Sequence, residues 1–272
     1  MRTIGIELEF GDEKFIDKHI NNECLKDIIL SSIRSQLKDD SIQLRKRSSK
    51  SDWAFKKDHC GYEITTPVFL SSLSGTKIIP NVSQYIYNQL NPKMFNFGNC
   101  GVHVHLGVED LSTDDLYNLY KVFYRFEPVI MNMFHKKRKE SAYIDFLRKD
   151  LEINILLNKQ KLLKKSIGEN FKKHRLAVNV RQKGNLYERI EVRYCPGTMS
   201  YEIIFRWIQF LLTMIEISKY RRIMDEDLTK RQNIVKLIDF LTKSDIETPW
   251  LRDQLDDLIL WIKYRMKNRN SF

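Results

Sequence analysis

Two glutamates one residue apart lie in GIELEF (5–10), and two histidines with the same spacing lie in GVHVHLG (101–107). RIEVRY (189–194) sets Glu191 between Arg189 and Arg193, GYEITTP (61–67) carries Glu63, and HRLAVNV (174–180) carries Arg175 and Asn179. In an extended chain alternate side chains share a face, so Glu7 and Glu9 would stand about 7 Å apart on one side. Two carboxylates held that way repel and call for a cation. Hard divalent cations take oxygen ligands, and Mn²⁺ also accepts imidazole. Several carboxylates with one or two of His103 and His105, and no thiolate, therefore suit Mg²⁺ or Mn²⁺ better than zinc. Arg193 and Arg175 on the same face would suit nucleotide phosphates, which guanidinium groups bind bidentately.

Strict alternation predicts the strands that must present these groups. Ile4, Ile6, Leu8 and Phe10 oppose Glu7 and Glu9 in a strand over 3–10. Val102, Val104 and Leu106 oppose His103 and His105 over 101–107. Ile190, Val192 and Tyr194 oppose Arg189, Glu191 and Arg193 over 187–194, while Val178 and Val180 oppose Arg175 and Asn179 over 174–181. Short strands are expected at 53–57 and 61–66, the second placing Glu63 opposite Tyr62 and Ile64. A solvated sheet face alternates in the same way. Such faces, however, favour Thr, Lys, Ser and Gln with opposite charges interleaved. Helices are predicted over 16–37, over 79–90 from Pro80, from Ser112 to about 126, onward from Pro128, over 140–165, from Ser200 to Ile217, and over 230–243 and 250–268. The polar run 43–52 and QKGN (182–185) read as turns. The class is α+β with an antiparallel or mixed sheet, and no linker divides 1–272, so a single catalytic domain is expected.

The 272 residues are 42% hydrophobic with only 10 Gly and 6 Pro, an ordered globular composition. No stretch is long and apolar enough for a membrane span. MRTIGIELEF reads as a strand and not as an export signal, so a cytoplasmic location is expected. Cys24, Cys60, Cys100 and Cys195 form no zinc spacing and read as buried thiols. The net charge is +11, and residues 136–175 hold 13 Lys/Arg against 5 Asp/Glu. That segment, with KKRK at 136–139, reads either as a solvated helix face or as an electropositive rim for an anionic polymer such as nucleic acid or an acidic peptide.

GIELEF (5–10), DWAFKKD (52–58), CGYEITTP (60–67), CGVHVHLG (100–107), HRLAVNV (174–180) and RIEVRYCPGT (189–198), followed by Trp207, resemble in this order the amidoligase family. These are carboxylate–amine ligases with a glutamine synthetase-like catalytic fold. The resemblance implies a curved antiparallel or mixed sheet, one face lined by metal and ATP ligands and the other packed by helices. It implies Glu7, Glu9, Glu63, His103 and Glu191 as ligands of two Mg²⁺ or Mn²⁺ ions. Arg193 would contact phosphate, Arg175 would face the phosphates or an acyl phosphate, and His105 would touch phosphate or substrate. Asn179 counts among the nucleotide contacts. Family members tend to follow the aspartate of the second motif closely with Ser, whereas Asp58 is followed here by His59 and Cys60; positioning of the amine is the role left to it. The motifs end at residue 207, and the last 60 or so residues carry none.

The implied reaction joins a carboxylate to an amine as an amide or isopeptide bond. ATP first phosphorylates the carboxylate, and the amine then displaces phosphate. An alkyl amine of pKa about 10 is only ~0.1% neutral at pH 7, so a carboxylate must take its proton or bind its cation. Two other expectations stand beside this one: a phosphotransferase of the guanidino-kinase type, and a basic nucleic-acid-binding protein with a degenerate site. The expected partners are carboxylate and amine substrates and an anionic polymer at 136–175, and a homo-oligomer is compatible with the resemblance.

Overall fold

The computed structural model describes residues 2–11, 22–47, 49–58, 61–89, 100–134, 136–141, 144–150, 153–167, 176–183, 186–243 and 246–268. The chain begins with β1 (Thr3–Phe10), α1 (Asn22–Leu37), β2 (Ala54–Asp58), β3 (Gly61–Thr65), β4 (Phe69–Leu70), α2 (Leu73–Gln89) and β5 (Gly101–Gly107). It continues through α3 (Thr113–Asn132), α4 (Lys136–Lys139), α5 (Leu147–Asp150), α6 (Ile153–Leu156), α7 (Lys159–Ile167), β6 (Val178–Lys183), β7 (Leu186–Pro196) and α8 (Tyr201–Tyr220). A 3₁₀ turn (Asp225–Asp227), α9 (Ile234–Thr242), α10 (Pro249–Asp253) and α11 (Leu255–Lys267) follow. The chain is thus α+β, and it divides into two units, residues 1–105 with 195–208 and residues 106–194 with 209–272. Among the described residues no helix is long and apolar enough to cross a membrane.

In the first unit β1 is antiparallel to β3 and, near its start, to β4. β3 in turn is antiparallel to β2, and β5 flanks β1 on its other side. The alternation expected of β1 is present: Ile4, Ile6, Leu8 and Phe10 are fully buried, while Gly5, Glu7 and Glu9 are partly exposed. Leu25, Ile29 and Ile33 of α1 and Ile79, Val82 and Ile86 of α2 are buried in this unit, where the two helices pack together. Gly61 has φ of +147°, and an added Cβ would lie 2.6 Å from the carbonyl oxygens of Phe10 and Gly11, so only glycine fits where β3 begins. The backbone N–H of Gly197 donates to the Cys100 carbonyl at 2.8 Å.

In the second unit β6 and β7 are antiparallel, with Asn179 opposite Glu191 and Arg181 opposite Arg189, and a bulge follows Arg181. Helix α3 opens with a complete capping box: Ser112 Oγ accepts from the Asp115 N–H, and the Asp115 carboxylate accepts from the Ser112 N–H. Its buried stripe includes Leu119, Val122, Phe123 and Phe126, and the Tyr120 hydroxyl donates to the Val178 carbonyl of β6 at 3.0 Å. The end of α8 is held by Asn118, whose amide donates to the carbonyls of Ser218 (2.6 Å) and Arg221 (2.9 Å). Deeper in α3, Glu127 is buried and accepts from the backbone N–H groups of Leu147 (2.7 Å) and Arg148 (2.6 Å) and from the Tyr194 hydroxyl (2.7 Å).

Several expected boundaries are corrected. Pro80 and Pro128 do not begin helices; both lie inside longer ones, α2 and α3. The start of α2 is set by Ser72, whose Oγ accepts from the Gly75 N–H at 3.0 Å. The single helix expected over 140–165 is instead three short ones, α5 to α7. Strand β6 starts later than expected, at Val178, and β7 runs further, to Pro196. Cys24 is exposed, unlike the buried Cys100 and Cys195. Within KKRK, Arg138 is not on a solvated face: it is buried, and its Nη2 donates to the Arg193 carbonyl at 2.7 Å.

Candidate metal centre

On the polar side of the first unit's sheet, register brings the acidic residues into rows. Glu9 lies directly opposite Glu63, and Glu7 lies opposite Thr65. Like charges directly across an antiparallel pair repel, so the Glu9–Glu63 pairing intensifies the demand for a cation that the Glu7–Glu9 spacing already made. One protein cation meets part of it. Lys56, opposite Glu63 on β2, places Nζ 2.8 Å from Glu63 Oε1. Thr65 Oγ1 also donates to Glu63 Oε1 at 2.8 Å, and the Gly101 N–H donates to Glu9 Oε2 at 2.7 Å.

Strand β5 brings both imidazoles to the same place. His103 Nδ1 is 3.1 Å from Glu7 Oε2, its Nε2 is 3.6 Å from Glu9 Oε2, and His105 Nε2 is 3.1 Å from Glu7 Oε1. Glu7 is therefore clasped between two rings. Burial pushes its carboxyl up, but hydrogen bonds from His103 and then His105, with their charges, hold it well below the usual carboxylate range. Glu63 goes the other way: burial and then the Glu7 charge raise it, and Lys56 and Thr65 offset only part of that. His103 is almost fully buried, with 4% of its side chain exposed, whereas Glu7 retains 23%, so the cluster opens toward solvent at Glu7. Both ring nitrogens of His105 are buried; Nε2 faces Glu7 Oε1, and Nδ1 has no hydrogen-bond partner among the described residues.

These features fit a hard divalent cation. Three carboxylates and two imidazoles converge, the acceptors outnumber the donors, and His105 keeps one buried nitrogen, Nδ1, without a partner among the described residues. Glu7 and His103 each offer a ligand atom suitably placed for a metal ion. Hard-cation sites are built from such oxygen-rich sets, with imidazole admitted by Mn²⁺.

In the second unit Glu191 is buried on β7, and Arg193 Nη2 pairs with Glu191 Oε1. Asn179, opposite Glu191, is also buried, and its Nδ2 donates to the Leu176 carbonyl at 2.6 Å, so that amide is engaged locally. Arg138 supports this stretch from below through the Arg193 carbonyl. Arg175 lies outside the described residues, and so does the side chain of Asp58, whose backbone pairs with Gly61. Sequence reasoning missed Lys56, Thr65 and Arg138. The first two share an alternating face with Glu63 in their strands, which was a usable signal once the β2–β3 register is known; nothing local marks Arg138 as buried.

The family described as "Putative amidoligase enzyme" matches residues 1–215, and the chain belongs to it. No match was found among curated proteins. Among solved structures, one chain from the complex between the prokaryotic ubiquitin-like protein Pup and its ligase PafA is 11% identical with a TM-score of 0.47, covering 99% of this chain and 65% of that one. A bifunctional glutathione synthetase from Pasteurella multocida is 12% identical with a TM-score of 0.47, covering 99% of this chain and 47% of that one. The chain thus spans less than two thirds of the length of either.

Proposed function

We propose that this amidoligase-family chain is an ATP- and Mg²⁺-dependent carboxylate–amine ligase that forms an amide or isopeptide bond through an acyl phosphate. The observation that carries the proposal is the Glu7 carboxylate held between His103 and His105 beside the facing Glu9–Glu63 pair. We assign Glu7, Glu9, Glu63, His103 and Glu191 as metal ligands. Two divalent ions, when bound, would draw charge from the transferring phosphoryl group and its oxygens.

The chain's own residues do the rest. Arg193, which pairs with Glu191 and whose carbonyl accepts from Arg138, is assigned to contact phosphate oxygens together with Arg175. A substrate carboxylate oxygen attacks the γ-phosphorus and ADP leaves. The amine nitrogen then attacks the acyl carbon, and phosphate leaves with the bonding electrons. Asp58 is assigned to bind the ammonium form of the amine and take its proton, and His105 to contact phosphate or substrate.

The test is ADP release that requires metal, a carboxylate and an amine together, with the amide detected by mass spectrometry across a broad panel of amino acids and polyamines. A stable phosphorylated acceptor without amide would establish the phosphotransferase instead. Steeply salt-dependent nucleic-acid binding without ATP turnover would overturn both enzymatic readings.

A further inference from the structure

The polar face of the β6–β7 pair carries more positive charge than phosphate contact at Arg193 requires. Arg181 and Arg189 are direct cross-strand partners, two residues along from the Asn179–Glu191 pairing. Partners so placed have Cβ atoms about 4.5–5.5 Å apart, and like charges there repel. Other cations in the second unit do have carboxylate partners: Lys121 pairs with Asp225, Lys219 with Asp110, Arg222 with Asp115 and Arg193 with Glu191. Neither Arg181 nor Arg189 has an ion pair or hydrogen bond among the described residues, and Arg189 Nε is buried without a partner. Both side chains are part-exposed, so the pair is reachable. The bulge directly after Arg181 interrupts the ladder where the pair sits, and bulges re-aim side chains beside functional sites.

We propose that Arg181 and Arg189 form an oxyanion clamp that holds a carboxylate or phosphate group of the molecule being ligated. Two guanidinium forks side by side present donors in the geometry that such groups accept bidentately. Arg189 stands two residues, about 7 Å, from Glu191 along the strand. The substrate would therefore carry a second anionic group beyond the carboxylate that is activated. The identity of the occupant rests on the ligase reading; the existence of the clamp does not.

The experiment follows the arginine Nε–Hε resonances of the intact protein by ¹H–¹⁵N NMR. Arg181→Gln and Arg189→Gln assign the two signals. Wild type is titrated separately with inorganic phosphate, with glutarate, and with Mg²⁺ and a non-hydrolysable ATP analogue. The clamp predicts that phosphate or glutarate shifts both signals saturably with one dissociation constant. Each single substitution should weaken that constant by at least about tenfold, the worth of a charge-assisted hydrogen bond. Absence of a saturable shift with either anion up to high millimolar concentration overturns the clamp. If the nucleotide saturates the same two signals, its phosphates are the occupant and the assignment to the ligated molecule is overturned. If the nucleotide binds nowhere on the protein while the anions still shift both signals, the ligase reading fails and the clamp stands.

Discussion

Replacing Glu127 with glutamine tests whether β7 is held from behind as described. The carboxylate accepts three short hydrogen bonds, from the N–H groups of Leu147 and Arg148 at 2.7 and 2.6 Å and from the Tyr194 hydroxyl at 2.7 Å. An amide has one acceptor oxygen, so whichever way it turns its NH₂ faces one of the two backbone donors. The hydroxyl can rotate to accept; the backbone N–H cannot. One charge-assisted bond is lost and one buried N–H is left unmatched, which together cost about 1–3 kcal/mol once relief from burying a charge is set against them. For a chain of this size that is roughly 2–10 °C in Tm at pH 7. The pH dependence has a definite sign. Burial holds the Glu127 carboxyl above its ordinary value near 4.5, against hydrogen bonds from Arg148, Tyr194 and Leu147 that pull it down. The folded state therefore binds this proton more tightly than the unfolded one, so wild type gains stability as pH falls through the folded pKa toward the unfolded one. The amide does not titrate, so the gap between Glu127→Gln and wild type must widen on acidification. Thermal unfolding of both proteins by circular dichroism at pH 7 and pH 5 measures this directly. A variant as stable as wild type, or a gap that narrows at pH 5, would refute the reasoning.

Three further outcomes are expected. Glu7→Gln removes the carboxylate between the two imidazoles, so it should abolish metal-induced stabilisation. At Mn²⁺ one hundred times its Kd, wild type should gain about 2.7 kcal/mol and the variant nothing in differential scanning fluorimetry; a retained shift would remove Glu7 from the ligand set. Lys56→Met removes the half-exposed ammonium that competes with metal for Glu63, so Mn²⁺ measured calorimetrically should bind tighter, by up to about fivefold for a pair worth ~1 kcal/mol; unchanged or weaker binding would contradict that role. Lys38 sits at φ of +53° just after α1, with the Asp39 N–H bonded to the Arg34 carbonyl at 3.2 Å, a helix stop that glycine fills without strain. Lys38→Gly should therefore raise Tm by about 2–4 °C, for ~1 kcal/mol, and a lowered Tm would show that the left-handed turn is not strained.

What could be read from the sequence was what lies within one strand. Glu7 and Glu9 opposite four apolar residues, and His103 and His105 opposite three, follow from alternation alone; the burial of β1 reproduces the pattern, whereas in β5 His103 is buried along with the apolar residues. What lies between strands could not be read. The facing of Glu9 with Glu63, the reach of Lys56 across β2 and the pairing of Arg181 with Arg189 depend on register, which no local pattern specifies. Proline misled in the same local way. At Pro80 and Pro128 the penalty for a helix-interior proline is outweighed by burial of the apolar stripes that run through them, including Ile79 and Val82 in α2 and Phe126 and Val129 in α3. Arg138 shows the converse: a residue in a run of four cations is buried because a backbone carbonyl on β7 needs a donor.

The central claim is that these acidic and imidazole side chains hold divalent metal beside ATP. A crystal grown or soaked with Mn²⁺ and a non-hydrolysable ATP analogue, with data at the manganese absorption edge, tests it most directly. The prediction is at least one anomalous peak within about 2.6 Å of a Glu7 oxygen and a His103 nitrogen, with the nucleotide phosphates against it. Nucleotide bound elsewhere, or manganese absent from Glu7 and His103 at full occupancy of the nucleotide, would contradict it.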